Sequence, residues 1–268
     1  MTENTKIPSF DLTRNYARVK EEVNVAVLRV LDTQHFILGP EVEALEKEIA
    51  AYLEVKSAVG CASGTDALVL AMMALDLKPG DEVITTPFTF FATASCITRN
   101  GATPVFADID PVTYNINSED IIAKITPRTK AVLPVHLFGQ MCPLEEIKDE
   151  LKNRGIALVE DCAQAIGAHR MIGGRVARSG SVGDMGCFSF FPTKNLGCYE
   201  TAAWSPSRTT LSSRSVEEPA GPRRRQDIFP RRVGINSRLD ALQAAILRVR
   251  LRHLKGGTRS AASSPNVI

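Results

Sequence analysis

A lysine within residues 186–197 has the surroundings expected of a covalent catalyst. The segment reads Gly-Cys-Phe-Ser-Phe-Phe-Pro-Thr-Lys-Asn-Leu-Gly, so an aromatic run ends at a proline and Lys194 follows among small and polar residues. Lysine is the usual side chain for a Schiff base with a carbonyl compound, provided that its surroundings lower its pKa. Ser189, earlier in the same run, carries a hydroxyl that can bind a phosphate. A solvated surface lysine is the alternative, and the aromatic context disfavours it.

An acidic residue ends a second apolar run. Residues 158–165 read Leu-Val-Glu-Asp-Cys-Ala-Gln-Ala, which places Asp161 where a buried strand would end. A buried carboxylate is costly unless a cation or hydrogen-bond donors compensate it, and a protonated pyridine nitrogen would be such a partner. An ordinary helix N-cap is the alternative for this segment.

Two further segments combine with these. Residues 60–67, Gly-Cys-Ala-Ser-Gly-Thr-Asp-Ala, form a turn of small residues that opens a helix, and its free backbone N–H groups can hold a phosphate. Residues 86–91, Thr-Pro-Phe-Thr-Phe-Phe, place aromatic rings where one can stack on a flat cofactor. An ordinary loop and core packing are the respective alternatives.

The elements that must position these residues alternate along the chain. Apolar runs of strand length are separated by helical patterns, which indicates a mostly parallel sheet covered on both faces. Ligands of such sheets bind at the carboxyl ends of the strands, where the segments above lie. We predict strands at 82–85, 103–106, 131–134 and 156–160, and helices at 18–31, 40–53, 64–77, 89–99, 118–125 and 143–153.

Composition excludes several classes of function. The chain has 268 residues, 44% of them hydrophobic, and a net charge of +2, which gives no electrostatic case for nucleic acid or a membrane surface as partner. No apolar run is long enough to span a bilayer, and the N-terminus lacks the apolar core of a secretion signal. The six cysteines are scattered without metal-site spacing, which favours reduced thiols in a cytoplasmic protein.

Together these residues resemble the DegT/StrS family of pyridoxal-phosphate-dependent nucleotide-sugar aminotransferases. The resemblance runs from about residue 11 to 196 and resumes at Val-Gly-Ile-Asn-Ser-Arg-Leu-Asp-Ala-Leu-Gln-Ala-Ala-Ile-Leu, which begins at Val233 and continues the pattern to Leu254. The lysine segment and the Gly-Ile-Asn-Ser-Arg segment together are highly specific to this family. The resemblance implies an α/β fold, the large domain of a type I aminotransferase, acting as a homodimer with pyridoxal 5'-phosphate.

The resemblance also implies a role for individual residues. Lys194 is similar to the lysine that bonds the cofactor and moves protons, and Asp161 to the acid that pairs with the pyridine nitrogen. His136 matches a family segment near the site, and we assign it no chemical role. The remaining cofactor-binding positions are Gln164 near the phenolic oxygen, Phe90 stacked on the ring, Gly64, Thr65 and Ser189 around the phosphate, and Asn236, which reaches the phosphate from the partner subunit.

The implied reaction moves an amino group from glutamate to a nucleotide-linked keto-sugar, at either C3 or C4. The pathway, polysaccharide or antibiotic sugar synthesis, stays open. One alternative is a catalytically inactive, truncated relative with a cofactor-binding or regulatory role. Another is a sugar dehydratase with the same cofactor, in which a histidine replaces the lysine. Lys194 argues against the dehydratase.

The family pattern breaks twice, and this sets the expected domains. We expect a cofactor-binding large domain at 1–198, an irregular segment at 199–232, a helix resuming the pattern at 233–255 and an irregular tail at 256–268, with most of the C-terminal small domain missing. Legal codons for residues 200–209, read in another frame, give Asp-Gly-Gly-Met-Val-Ala-Ile-Glu-Asp, the missing family segment. Both irregular stretches are therefore predicted to be translated out of frame, which resequencing of the gene tests.

Overall fold

The computed structural model describes residues 10–199, 203–207 and 234–262. Nine strands form a seven-stranded sheet and a separate hairpin within these residues. The strands of the large sheet are Ser57–Cys61 (β1), Glu82–Thr85 (β2), Thr103–Phe106 (β3), Thr129–Leu133 (β4), Ala157–Asp161 (β5), Met185–Ser189 (β8) and Ala203–Ser207 (β9). The hairpin pairs His169–Ile172 (β6) with Arg175–Arg178 (β7).

The large sheet has the order β1-β9-β8-β5-β4-β2-β3. Strands β3, β2, β4, β5 and β8 are parallel to one another. Strand β9 is antiparallel to both β8 and β1, so β1 runs in the same direction as β8. The mostly parallel sheet predicted from the sequence is thereby confirmed, and the carboxyl ends of five of its strands reach the same edge as β8.

Eight α-helices accompany the strands in the described residues. They are Thr13–Ala17 (α1), Lys20–Thr33 (α2), Pro40–Leu53 (α3), Gly64–Ala74 (α4), Phe91–Arg99 (α5), Ser118–Ala123 (α6), Lys148–Asn153 (α7) and Ala241–Ala262 (α8). The helix predicted at 143–153 begins later, because Pro143 is followed by a 3₁₀ turn at Leu144–Glu146. The short strands β1, β6 and β7 were not predicted.

The core lies on both faces of the sheet. Side chains alternate across a strand, so Val159 of β5 faces α4 and α5, whereas its neighbour Leu158 faces α6 and α7. Phe188 of β8 joins a third cluster with α3 and α8. Both faces are therefore covered, which leaves the carboxyl edge as the open side of the layered structure.

The predicted domain boundaries are only partly within the described residues. Residues 200–202, 208–233 and 263–268, which carry much of the two stretches predicted to be out of frame, lie outside them, and that prediction stays a prediction. Strand β9 falls inside the segment predicted to be irregular, residues 199–232. Helix α8 begins at Ala241 rather than 233 and continues past 255. No helix in the described part of the chain is long and apolar enough to cross a membrane.

Candidate active site

The carboxyl edge of the sheet surrounds a cavity of about 500 Å³. This volume lies within the range of about 300–1,000 Å³ that is usual for sites of small molecules and cofactors. The loops after β1, β2, β4, β5 and β8 all contribute to its wall. Seven predicted site residues line it: Gly64, Thr65, Phe90, Asp161, Gln164, Ser189 and Lys194.

Lys194 is held in a tight turn after β8. Its backbone N–H donates to the Phe191 carbonyl at 2.8 Å. Gly197 closes the turn where no side chain fits, because a Cβ atom there would lie 2.4 Å from the Pro192 carbonyl oxygen. The side chain of Lys194 is half-buried at the cavity wall. The turn thus places Lys194 at the cavity wall.

Asp161 is the buried acid of the cavity. Its Oδ2 accepts a 2.8 Å hydrogen bond from Thr93 Oγ1, and its Oδ1 accepts a 3.2 Å bond from the Ala163 N–H. Burial raises the pKa of the Asp161 carboxyl above its usual range, and these two hydrogen bonds and the charge of Lys194 partly oppose that rise. A carboxylate with two neutral donors on a cavity wall is suited to a cationic N–H.

Thr93 is a site residue that the sequence analysis missed. Its hydroxyl proton points to Asp161, so Thr89 Oγ1, 2.8 Å away, donates to Thr93. Thr93 lies three residues after Phe90, in the first turn of α5, and is buried. That spacing is the signal that could have identified it. The pair of hydroxyls thus holds Oδ2 of Asp161 in place.

The turn before α4 forms the other end of the cavity. Gly64 and Thr65 are the first residues of that helix, whose N–H groups have no acceptor within the helix. Ser189, at the end of β8, packs so closely that a Cβ atom on Gly64 would lie 2.9 Å from the Ser189 Cβ. Small residues therefore bring a hydroxyl against free N–H groups, an arrangement that binds phosphate.

Gln164 has a fixed orientation at the cavity wall. Its Oε1 accepts a 3.0 Å hydrogen bond from the Phe138 N–H, which leaves the amide N–H groups as the free end. Phe138 adopts a left-handed conformation with φ of 53°, which is strained for a bulky residue. This turn presents its N–H to Gln164, so the amide can donate to a phenolate oxygen.

Phe90 and Asn236 differ in position. Phe90 lines the cavity while 75% of its surface is exposed, so a flat ligand has a ring to cover. Asn236 is exposed and is not among the residues that line the cavity. Its predicted contact from a partner subunit is not a contact within one chain, and it stays a prediction.

His136 lines the cavity as part of a buried pair. Its Nδ1 accepts from the Cys142 N–H at 3.1 Å, so its Nε2 carries the proton that it donates to Glu160 at 2.8 Å. Glu160 also accepts the N–H groups of Gly180, Val182 and Gly183. Adjacent residues of a strand face opposite sides, which explains why Asp161 faces the cavity and Glu160 does not. The sequence analysis missed this role of Glu160.

The residues present fit pyridoxal 5'-phosphate. An amine, a buried carboxylate, a donor amide, an exposed ring and a helix N-terminus line one cavity. Each matches one feature of the cofactor: the aldehyde, the pyridine nitrogen, the phenolic oxygen, the flat ring and the phosphate, respectively.

Comparisons with known proteins agree with this geometry. Residues 17–261 match the DegT/DnrJ/EryC1/StrS aminotransferase family. The chain is 44% identical to UDP-N-acetyl-3-dehydro-alpha-D-glucosamine 3-aminotransferase from Acidithiobacillus ferrooxidans over 98% of its own length and 71% of the relative's.

Solved structures show the same relationship. The crystal structure of DesV from Streptomyces venezuelae has a TM-score of 0.85 at 39% identity, over 96% of this chain and 68% of that one. NtdA from Bacillus subtilis, solved with bound cofactor PMP, has a TM-score of 0.81 at 31% identity, over 94% of this chain and 57% of that one.

Proposed function

Because the chain belongs to the DegT/DnrJ/EryC1/StrS aminotransferase family, we propose that it moves an amino group from glutamate to a nucleotide-linked 3-keto sugar. The observation that carries this proposal is the shared cavity of Lys194 and Asp161. The name of the Acidithiobacillus ferrooxidans relative supports the 3-keto position and a UDP carrier. The family's cofactor is pyridoxal 5'-phosphate, as the NtdA structure with PMP illustrates.

Each cavity residue would hold one part of this cofactor. The Lys194 amine would bond its aldehyde, and the Asp161 carboxylate would keep its pyridine nitrogen protonated. The amide of Gln164 would donate to the phenolic oxygen. Gly64, Thr65 and Ser189 would hold the phosphate, with Phe90 against the ring. When bound, the cofactor supplies an electron sink for the carbanion formed at the substrate carbon.

Lys194 has a second task in this proposal. Once the amino donor occupies the cavity, the free amine of Lys194 would take a proton from the substrate carbon and return it to the cofactor carbon. This needs a mobile side chain on a rigid backbone. The hydrogen bond from the Lys194 N–H to the Phe191 carbonyl closes a turn that holds the backbone, and the half-buried side chain extends from it at the cavity wall.

The test is amine transfer from glutamate to a UDP-linked 3-keto sugar, with a 4-keto sugar nucleotide in parallel. The proposal expects product from the 3-keto substrate and its loss in Lys194→Ala. Lys152→Ala, an exposed lysine on α7, is the matched control and should keep activity. Cofactor binding without transfer to either sugar would instead favour the inactive, cofactor-binding relative.

We also propose that the chain acts as a homodimer in which Asn236 reaches the partner's phosphate site. Its exposed position outside its own cavity supports this, as do the exposed rings of Phe90 and Phe138 at the same edge. Mixing Lys194→Ala and Asn236→Asp chains tests it, because each mixed dimer regains one intact site. We expect recovery of up to about one quarter of wild-type activity. Activity that stays absent after mixing would contradict the contact between Asn236 and the partner's phosphate site.

A cytoplasmic location is proposed as well. All six cysteines are buried, as thiols and not as disulfides. Burial raises the pKa of the Cys61 and Cys162 thiols to about 12, which keeps them uncharged. Free thiols in this number are typical of a reducing compartment. Fractionation of cells that express the chain tests the location.

A further inference from the structure

Residues 234–240 run beside the turn before α4 and are anchored on both sides. Ile235 packs against the cluster that contains Ala67 and Leu68 of α4, and Leu239 is buried in the cluster with α3 and α8. Between these anchors Asn236 is exposed. Ser237 is therefore held in place by its neighbours, and its side chain is only partly exposed.

The Ser237 hydroxyl bridges the two ends of the turn. It accepts a 2.9 Å hydrogen bond from the Ala62 N–H and donates a 2.7 Å bond to Asp66 Oδ2. Ala62 precedes Gly64 and Thr65, and Asp66 follows them. One hydroxyl thus joins both flanks of the residues whose N–H groups face the cavity, across a separation of more than 170 residues in sequence.

Asp66 needs such a contact for an electrostatic reason. An acid in the first turn stabilises a helix, but it also repels an anion bound at the same N-terminus. Gly64 and Thr65 line the cavity, whereas Asp66 does not. Its Oδ2 is instead directed to Ser237, and its backbone N–H is capped by Ser63 Oγ at 3.1 Å.

We propose that Ser237 is a positioning residue for the phosphate of the cofactor. Its hydroxyl holds the turn in the shape that presents the Gly64 and Thr65 N–H groups, and it keeps the Asp66 carboxylate outside the cavity. This inference rests on the proposed function, in which these N–H groups bind the phosphate. It gives residues 234–240 a task within their own subunit, separate from the task proposed for Asn236.

The test compares two ligands that differ only in the phosphate. Dissociation constants for pyridoxal 5'-phosphate and for pyridoxal are measured by absorbance titration of the full chain, as wild type, Ser237→Ala and Ser237→Thr. We expect Ser237→Ala to weaken pyridoxal 5'-phosphate about tenfold, as for one lost hydrogen bond to a charged group, and to leave pyridoxal unchanged. Ser237→Thr keeps the hydroxyl, so it should prefer pyridoxal 5'-phosphate over pyridoxal as strongly as wild type does.

Ser181→Ala is the matched control. That hydroxyl also accepts from and donates to the backbone of a turn, at Arg178, but it does not line the cavity. It should leave both constants unchanged. If Ser237→Ala does not fold, Ser237→Cys replaces it, because a thiol is a weak donor of similar size.

The outcomes separate the two proposals. If wild type binds pyridoxal as tightly as pyridoxal 5'-phosphate, the phosphate site of the proposed function fails. If wild type prefers the phosphate and Ser237→Ala keeps that preference, the role of Ser237 is wrong. Equal weakening of both ligands indicates general loosening of the structure, and this result also overturns the inference.

Discussion

Replacing Asp161 by asparagine is expected to have opposite effects on the empty and the loaded protein. In the structure the Asp161 carboxylate accepts from Thr93 and Ala163, and burial raises the pKa of its carboxyl. An asparagine fits the same bonds, because its oxygen can face the Ala163 N–H. Its amide can donate to Thr93, whose hydroxyl then donates to Thr89. The variant should therefore keep its contacts with Thr93 and Ala163 and fold as wild type does.

For the protein without cofactor, the raised pKa of Asp161 determines whether Asp161→Asn raises or lowers stability. Such a carboxyl has a folded pKa above its unfolded pKa of about 3.9. It contributes fully to the stability of the folded protein at pH values below the unfolded pKa, and this contribution is lost as the pH rises through the folded pKa. The asparagine amide cannot ionise, so Asp161→Asn should gain stability relative to wild type as the pH rises above the unfolded pKa of about 3.9. Urea unfolding of both proteins without cofactor measures this difference.

The loaded protein should show the reverse. The charged partner of the pyridine nitrogen is lost, and a hydrogen bond to a charged group contributes roughly 1.5–3 kcal/mol. This corresponds to a dissociation constant for pyridoxal 5'-phosphate that is about 10- to 150-fold weaker. Absorbance titration at about pH 8 gives the constant. Unchanged affinity together with pH-independent stability differences would refute the assigned role of Asp161.

Two further substitutions test the supports of the site. Thr93→Val removes the hydroxyl that donates to Asp161 while keeping the shape, and we expect cofactor affinity to fall about tenfold with little change in far-UV circular dichroism. Wild-type affinity in this variant would show that the hydroxyl does not matter. Gly64→Ala adds a Cβ atom 2.9 Å from Ser189 Cβ, so we expect about 1–3 kcal/mol of destabilisation in urea unfolding, and wild-type stability in this variant would contradict the close packing.

The sequence predicted the parts of the site that have strong local signals. Lys194 after an aromatic strand and Asp161 at the end of an apolar strand were found because parallel sheets bind ligands at those strand ends. Thr93 and Glu160 were missed, since their partners lie far away in sequence and a hydroxyl or acid alone carries no signal. Strand β9 was missed because its residues have no strand periodicity, and its pairing with β1 and β8 is set by tertiary contacts.

The bond between Lys194 and the cofactor is the central claim, and it can be located directly. The purified chain is incubated with pyridoxal 5'-phosphate, reduced with borohydride so that any bond to an amine becomes permanent, digested and analysed by mass spectrometry. The account predicts a single stoichiometric label on the peptide with Lys194, and none in Lys194→Ala. A label spread over surface lysines, or retained in Lys194→Ala, would contradict it.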